Sequence, residues 1–323
     1  MSEFHINVVK IDKVEKHPNA DTLSTTKIHG GYPCIFKSGS FKEGDLAVYV
    51  PVDSVLPNRP EFSFLSTSER KRLKAKKLRG YFSMGILVPA PEGYKEGDDV
   101  SSFFAITKWN PPISKTFGEC EKGPDGWRIP TYTDIEGLRR HPDILQPNEE
   151  VVLVEKIHGC NARFVHDGDR LWVGSRTQIK KFSETNLWWR AVAKISLEKK
   201  ISAFPMMVFC GEVFGQVQDL KYNHDNKDEP SFVVFDIFSI KDGKYLDFDD
   251  MIKIANKAGL NTAPVLYRGP WTDNLHDYAE GTSLLGNNVR EGFVVRPIKE
   301  RFSDKIGRVI LKLHGQGYLL RKN

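Results

Sequence analysis

The sequence is poor in cysteine and has no long apolar run, and each absence removes a class of protein. Cys34, Cys120, Cys160 and Cys210 are far apart and form no Cys-x-x-Cys pair. That pattern argues against a zinc site or a disulfide framework and fits a reducing cytoplasm. No apolar stretch approaches the ~20 residues of a membrane span, so no membrane partner is expected. The start, Met1-Ser2-Glu3-Phe4-His5, lacks a basic-then-apolar signal. Strong charge imbalance is also missing: a net charge of +5 over 323 residues tolerates a polyanionic partner without demanding one. Hydrophobic content of 40% and charged content of 28% describe an ordinary globular chain, long enough for two domains.

The positive charge that is present is concentrated. Arg70, Lys71, Arg72, Lys74, Lys76, Lys77 and Arg79 fill seven of ten consecutive positions. Ser66-Thr67-Ser68-Glu69 reads as a helix start before them, with Leu73 facing inward and Gly80 as the stop. Such a basic helix can contact a phosphate backbone, or be a solvated surface. Around it, residues 5–50 and 85–89 read as short strands broken by turns, the spacing of a small barrel or sandwich. Lys42-Glu43-Gly44-Asp45 recurs as Lys95-Glu96-Gly97-Asp98, one turn chemistry used twice. From 106 to 148 prolines accumulate, and a linker with a short helix near Ile135–Arg140 is expected.

In the second half, the apolar run Val151–Val154 delivers Lys156, and Gly159 lets backbone approach closely. A lysine so placed is a nucleophile, a phosphate anchor or simply a turn residue. A hairpin through His166–Asp169 would return Arg176 towards it. Ser183 would open a helix burying Leu187, Trp188, Ala191, Val192 and Ile195, and a second helix is expected near Phe248–Ala258. Three apolar strands each carry one acid: Glu212, Asp236 and Glu291. Lys312 lies inside a fourth. Buried carboxylates cost several kcal/mol unless paired or metal-bound, and together these groups suggest a metal-and-phosphate site.

Two resemblances follow. His17-Pro18-Asn19-Ala20-Asp21 with Leu23, followed by Gly44–Pro51, resembles the tRNA-binding OB-type modules of synthetase-associated proteins. The ordered set Lys156-x-His158-Gly159, Ser175-Arg176, Phe209-x-Gly211-Glu212, Phe235-Asp236, Glu291-Gly292-Phe293-Val294 and Lys312 resembles the covalent nucleotidyltransferases. Within these it is most similar to the ATP-dependent RNA ligases, since DNA ligases usually carry Asp where this chain has His158. With an OB-like module in front, it resembles the Deinococcus/Naegleria-type clade of nick-sealing RNA ligases.

The resemblance implies an α+β fold: an OB-like barrel over 1–105, a linker and entry over 106–148, and an ATP-grasp-like adenylyltransferase domain of antiparallel sheets with flanking helices over 149–323. It implies that Lys156 forms a lysyl-AMP from ATP with Mg2+ or Mn2+, and that AMP then passes to a 5′-phosphate end sealed by a 3′-OH. Glu155 would face the adenine edge and Phe235 would stack on the base. Asn161 and Arg176, with Arg163, would hold ribose and phosphate. Glu212, Glu291 and Asp236 would organise the metal, Lys312 would neutralise the α-phosphate, and His158 would act in the later steps. The free amine of Lys156 would be favoured by cations such as Arg176 and Lys312.

The expected partner is nicked duplex or structured RNA, RNA/DNA hybrids included, bound by a monomer inside the cell, with a phage gene as one source. One departure stands out: His314 occupies the place of a usual second lysine, so either a single lysine suffices or His314 or Arg308 substitutes. DNA ligases and capping enzymes generally carry an OB domain after the last motif, and eleven residues follow Lys312 here. A non-catalytic RNA-binding protein is the reading from a different class.

Overall fold

The computed structural model describes residues 4–29, 31–109, 118–222 and 230–321. The chain divides into two compact units. One comprises Met1–Pro112, Gly137–Pro142 and Leu319–Lys322; the other comprises Ile113–Glu136, Asp143–Tyr318 and Asn323.

In the first unit, strands Val8–Lys10, Leu46–Val50 and Ile86–Pro89 form one antiparallel sheet, and Glu15–Lys16, Leu23–Ile28 and Tyr32–Lys37 form another. Successive side chains on a strand point to opposite faces, and here both faces are covered. Val9, Ala47, Tyr49 and Leu87 pack with Ile28, Cys34 and Phe36. Val8, Val48, Val50 and Val88 pack instead with Phe62, Leu73 and Phe104. The repeated turn sequence behaves alike in both places. Lys42 N donates to Asp45 Oδ2 at 2.9 Å and Lys95 N to Asp98 Oδ2 at 2.8 Å, with Gly44 and Gly97 at φ of 88° and 94°.

The basic stretch is not the expected helix. A Ser66/Glu69 capping box starts a helix that lasts only Thr67–Lys71, and Lys76–Leu78 then pairs with Tyr81–Ser83 as a hairpin. Burial of Leu73 and Ala75 between the less buried Arg72, Lys74 and Lys76 has the period of a strand, not of a helix. Arg79 and Gly80, both with positive φ, make the hairpin turn. The His-Pro-Asn motif holds that turn. His17 Nε2 donates to Leu78 O at 3.2 Å, and Asn19 Nδ2 to Arg79 O at 2.9 Å.

The second unit contains a seven-stranded and a five-stranded antiparallel sheet. Glu150–Glu155 lies between Val265–Pro270 and Gly292–Pro297, and the latter pairs with Leu311–His314. In the larger sheet, Cys160–His166 lies between Leu171–Gly174 and Met207–Phe214, which pairs with Ser231–Ser239. Val152 and Val154 share a core with Ala162, Phe164, Phe209, Val213 and helical Trp188 and Ala191. That helix, Leu187–Lys194, starts later than Ser183 because Asn186 caps it, accepting from Trp188 N and Trp189 N. The helix Phe248–Lys257 lies where expected.

Part of the stretch expected to be a linker, residues 118–136 and 143–148 among those described, belongs to this unit. Trp127, Ile129 and Tyr132 join Val165, Val208 and Cys210 in a cluster. No helix spans 135–140, because Gly137 is extended and only Leu138–Arg140 coils, as one 3-10 turn. Among the described residues, no helix is long and apolar enough to cross a membrane.

Candidate active site

The Glu150–Glu155 strand ends one residue before Lys156, whose backbone N donates to Gly292 O at 3.0 Å. The neighbouring strand begins just after Glu291, and this pairing brings the two side chains together. Lys156 Nζ donates to Glu291 Oε1 at 2.7 Å. Gly292 has φ of 147° and lies against Leu313 O, where a Cβ would collide. Gly159 is likewise pressed on Val213 O and Glu212. The glycine after Lys156 therefore brings in the strand that carries Glu212.

Two histidines complete the group. His158 Nδ1 is 3.5 Å from Glu291 Oε2 and 3.0 Å from the Tyr318 hydroxyl, while Nε2 is 2.6 Å from Asp219 Oδ1. The His158 backbone N donates to the Tyr222 hydroxyl at 2.8 Å. His314 Nε2 is 3.5 Å from Glu291 Oε1, and its ring stacks on Tyr318, 16° from parallel. Lys312 and His314, two residues apart on one strand, lie on the same face. Burial lowers the His314 pKa below 6.5 despite the Glu291 carboxylate, with Lys156 and Lys312 adding to the shift. A ring shifted towards its neutral form does not reproduce a second lysine. Arg308 cannot replace one either, because Asp236 and Glu300 hold it.

The two acids differ. Burial would raise Glu291, but the Lys156 ammonium and the adjacent His158 and His314 rings hold it well below the usual carboxylate range. Burial pushes Glu212 up to about 8, against the pull of Lys156 and with the push of Glu291. A folded pKa raised above 4.5 means that the native state retains a proton the unfolded chain has lost. Stability of the metal-free protein is therefore expected to fall as pH rises from about 4.5 towards about 8. Urea unfolding at pH 5, 6, 7 and 8 checks this: Glu212→Gln should flatten the decline, and a wild type already flat contradicts a protonated Glu212. Glu291 contributes in a separate window, below 4.5.

Other expected site residues lie in different surroundings. Asp236 is fully buried and bound by Arg296 at 2.9 Å, Arg308 at 2.6 Å and the Tyr132 hydroxyl at 3.1 Å. With its oxygens so engaged it is an anchor of a buried ion network, not a metal ligand. Arg163 is 2% exposed and donates to the backbone carbonyls of Ser175, Ile129 and Pro130, so it braces the fold and does not reach for phosphate. Glu155 accepts from Ser283 Oγ and Leu284 N, which ties it to that loop. Arg176 pairs with Asp134. Phe235 is the extra residue of a β-bulge, and its half-buried ring meets Tyr132 at 4.9 Å. Asn161 lies opposite Glu212, and its Oδ1 is buried without a hydrogen-bond donor, as is Glu291 Oε2.

Asp219, Tyr222, Tyr318 and Tyr132 were not foreseen. They come from irregular segments or a short terminal helix, where no periodicity flags a side chain. The described residues hold no cluster of three or more His, Cys, Asp or Glu arranged for a metal. Mg2+ is commonly held by one or two carboxylates together with substrate phosphates. Orphaned acceptors on Glu291 and Asn161 and the nearby Glu212 fit such a shared site.

A strand-end lysine paired with a buried acid, in a domain of two antiparallel sheets, is what the expected nucleotidyltransferase of ligase type would carry. An RNA ligase family model matches residues 149–314, and an OB-fold domain model matches residues 5–90. The chain belongs to the RNA ligase family. No curated protein matches it. Among solved structures, a variant of Naegleria gruberi RNA ligase with ATP and Mn is 23% identical, with a TM-score of 0.83 over 98% of both chains. The same ligase with PPi is 24% identical, with a TM-score of 0.81 and 98% of both chains covered. Another variant with AMP and Mn is 24% identical, at 0.80 over 97% of both. At such identities the likeness establishes the shared fold.

Proposed function

We propose that this protein is an ATP-dependent RNA ligase that joins 5′-phosphate to 3′-OH ends at nicks in duplex RNA or RNA/DNA hybrids, as in RNA repair. The observation that carries the reading is the Lys156–Glu291 pair at 2.7 Å, seated between two glycines where no side chain would fit. Lys156 is the nucleophile towards the α-phosphorus of ATP, with pyrophosphate leaving. Its ion pair with Glu291 fixes the amine, which must lose a proton and turn from the carboxylate to attack. Lys312, on the adjoining strand, is placed to meet charge on the α-phosphate. Mg2+ or Mn2+, held by Glu212 and Glu291, would neutralise phosphate charge. His158, fixed by Asp219 and Tyr318, is assigned to AMP transfer and sealing, because its contacts do not include the lysine.

Substrate RNA is assigned to the first unit. Lys71, Lys74, Lys77 and Arg79 are exposed on and beside the hairpin. The other basic residues of the run have internal partners: Arg72 pairs with Asp53 and covers Trp109, Lys76 pairs with Glu69, and Arg70 donates to Leu65 O. A monomer acting inside the cell, where ATP and polynucleotide ends meet, fits these substrates. Sealing assays with RNA or DNA on each side of a 3′-OH/5′-phosphate nick test the reading. RNA-containing nicks are expected to be sealed, and exclusive sealing of all-DNA nicks would overturn the assignment.

A further inference from the structure

The barrel unit carries a second feature, separate from the exposed lysines. A cavity of about 240 Å3 opens beside the basic hairpin. Ile35, Phe64 and Leu78 supply apolar wall, while Lys37, Lys74 and Lys76 stand around it. Phe64 is 63% exposed and Leu78 36%, an unusual use of large apolar side chains so close to several ammonium groups. Phe64 sits between buried Phe62 and Leu65, so its backbone is held while its ring faces out. Leu78 is held as well, through its carbonyl bond to His17. The only carboxylate in the lining, Glu69, is paired with Lys76, so the remaining charge is positive.

Apolar walls with a flat ring, next to ammonium groups, match a nucleobase attached to its phosphate. Every base has a π-face to stack, and the backbone tracks positive charge. The volume is below the roughly 300–1,000 Å3 of sites for drug-sized ligands, room for a single ring system and not for a whole nucleotide cofactor. A duplex buries its bases and could use only the rim. We infer that this cavity binds one unpaired nucleotide of the RNA substrate, its base stacked on Phe64 and its phosphates met by Lys37 and Lys74. The inference rests on the reading of the chain as an enzyme acting on RNA, and it adds that the barrel reads a single-stranded or extruded base as well as a duplex backbone.

Fluorescence anisotropy with the full chain tests it, using a single-stranded RNA oligomer and a blunt RNA duplex. Phe64→Ala is expected to weaken single-strand binding by about tenfold, within the range of base–aromatic stacking, and to leave the duplex within about twofold. Phe64→Trp should restore the single-strand affinity. An oligomer carrying 2-aminopurine should be quenched on binding to wild type and not to Phe64→Ala. Equal single-strand affinities, or equal losses for strand and duplex, would overturn the inference and leave the cavity to an apolar protein segment. Self-labelling with ATP reports separately on the ligase reading: it should persist in Phe64→Ala, and its absence from wild type would count against the enzyme and not the cavity.

Discussion

Lys156→Ala is expected to abolish covalent labelling of the protein by ATP carrying a labelled α-phosphate, in the presence of Mg2+ or Mn2+. Wild type should retain the label through denaturing electrophoresis. The loss should be complete, because alanine removes the bond-forming atom itself and not an auxiliary contact. Lys156→Arg should fail too, since a guanidinium stays protonated and cannot act as a nucleophile at neutral pH. Some stability should be lost as well, because Glu291 is buried and loses its ammonium partner, although the backbone N at this position, which any residue supplies, keeps its bond. Alanine leaves Glu291 without its ammonium, but His158 and His314 remain at 3.5 Å. Circular dichroism and urea unfolding separate a dead site from an unfolded protein. Label persisting in Lys156→Ala would transfer the nucleophile role elsewhere, with Lys312 the first residue to examine.

The second large effect concerns stability. Asp236→Ala is expected to destabilise the protein by about 3–5 kcal/mol, the range for removing one partner from a buried ion network. Asp236 has no exposed surface, and Arg296 and Arg308 are 3% and 4% exposed. Burial would raise its pKa, but the two guanidiniums hold it below the usual carboxylate value. The stabilisation is thus present above about pH 4 and is lost as acid protonates the carboxylate. Without Asp236, Glu300 is left to meet two arginines, one of which also lies 3.7 Å over the Tyr245 ring. Urea denaturation at pH 7 measures the loss. If Asp236 were instead a metal ligand, its removal would leave the metal-free stability nearly unchanged and raise the metal concentration needed for labelling. Because Asp236 adjoins the Phe235 bulge and accepts from Tyr132, activity should fall with stability.

Much of the site was legible in the chain because strands impose simple geometry. A lysine one residue beyond an apolar strand, glycines at Gly159 and Gly292, and alternation at Lys312 and His314 all follow from period two and the lack of a Cβ. The barrel strands and the repeated Lys-Glu-Gly-Asp turns were legible for the same reason. The basic segment was misread because a genuine capping box begins a helix that Arg72 ends after a single turn. Its charge density masked the alternation of Leu73 and Ala75.

What the sequence determined by itself is the inventory: a strand-borne lysine, acids on apolar strands, close-packing glycines and a basic stretch in a β-rich unit. Local spacing reaches that far because side-chain direction on a strand depends only on residue parity. Tertiary structure alone decided which acids belong to which task. Glu291 meets Lys156 and Asp236 meets two arginines, although both are carboxylates on buried strands and look alike in one dimension. The partners that separate them, Arg296 and Arg308 on one side and His158 and His314 on the other, lie between 23 and 133 residues away. A buried charge is defined by what neutralises it, and that is settled only when distant strands come into register.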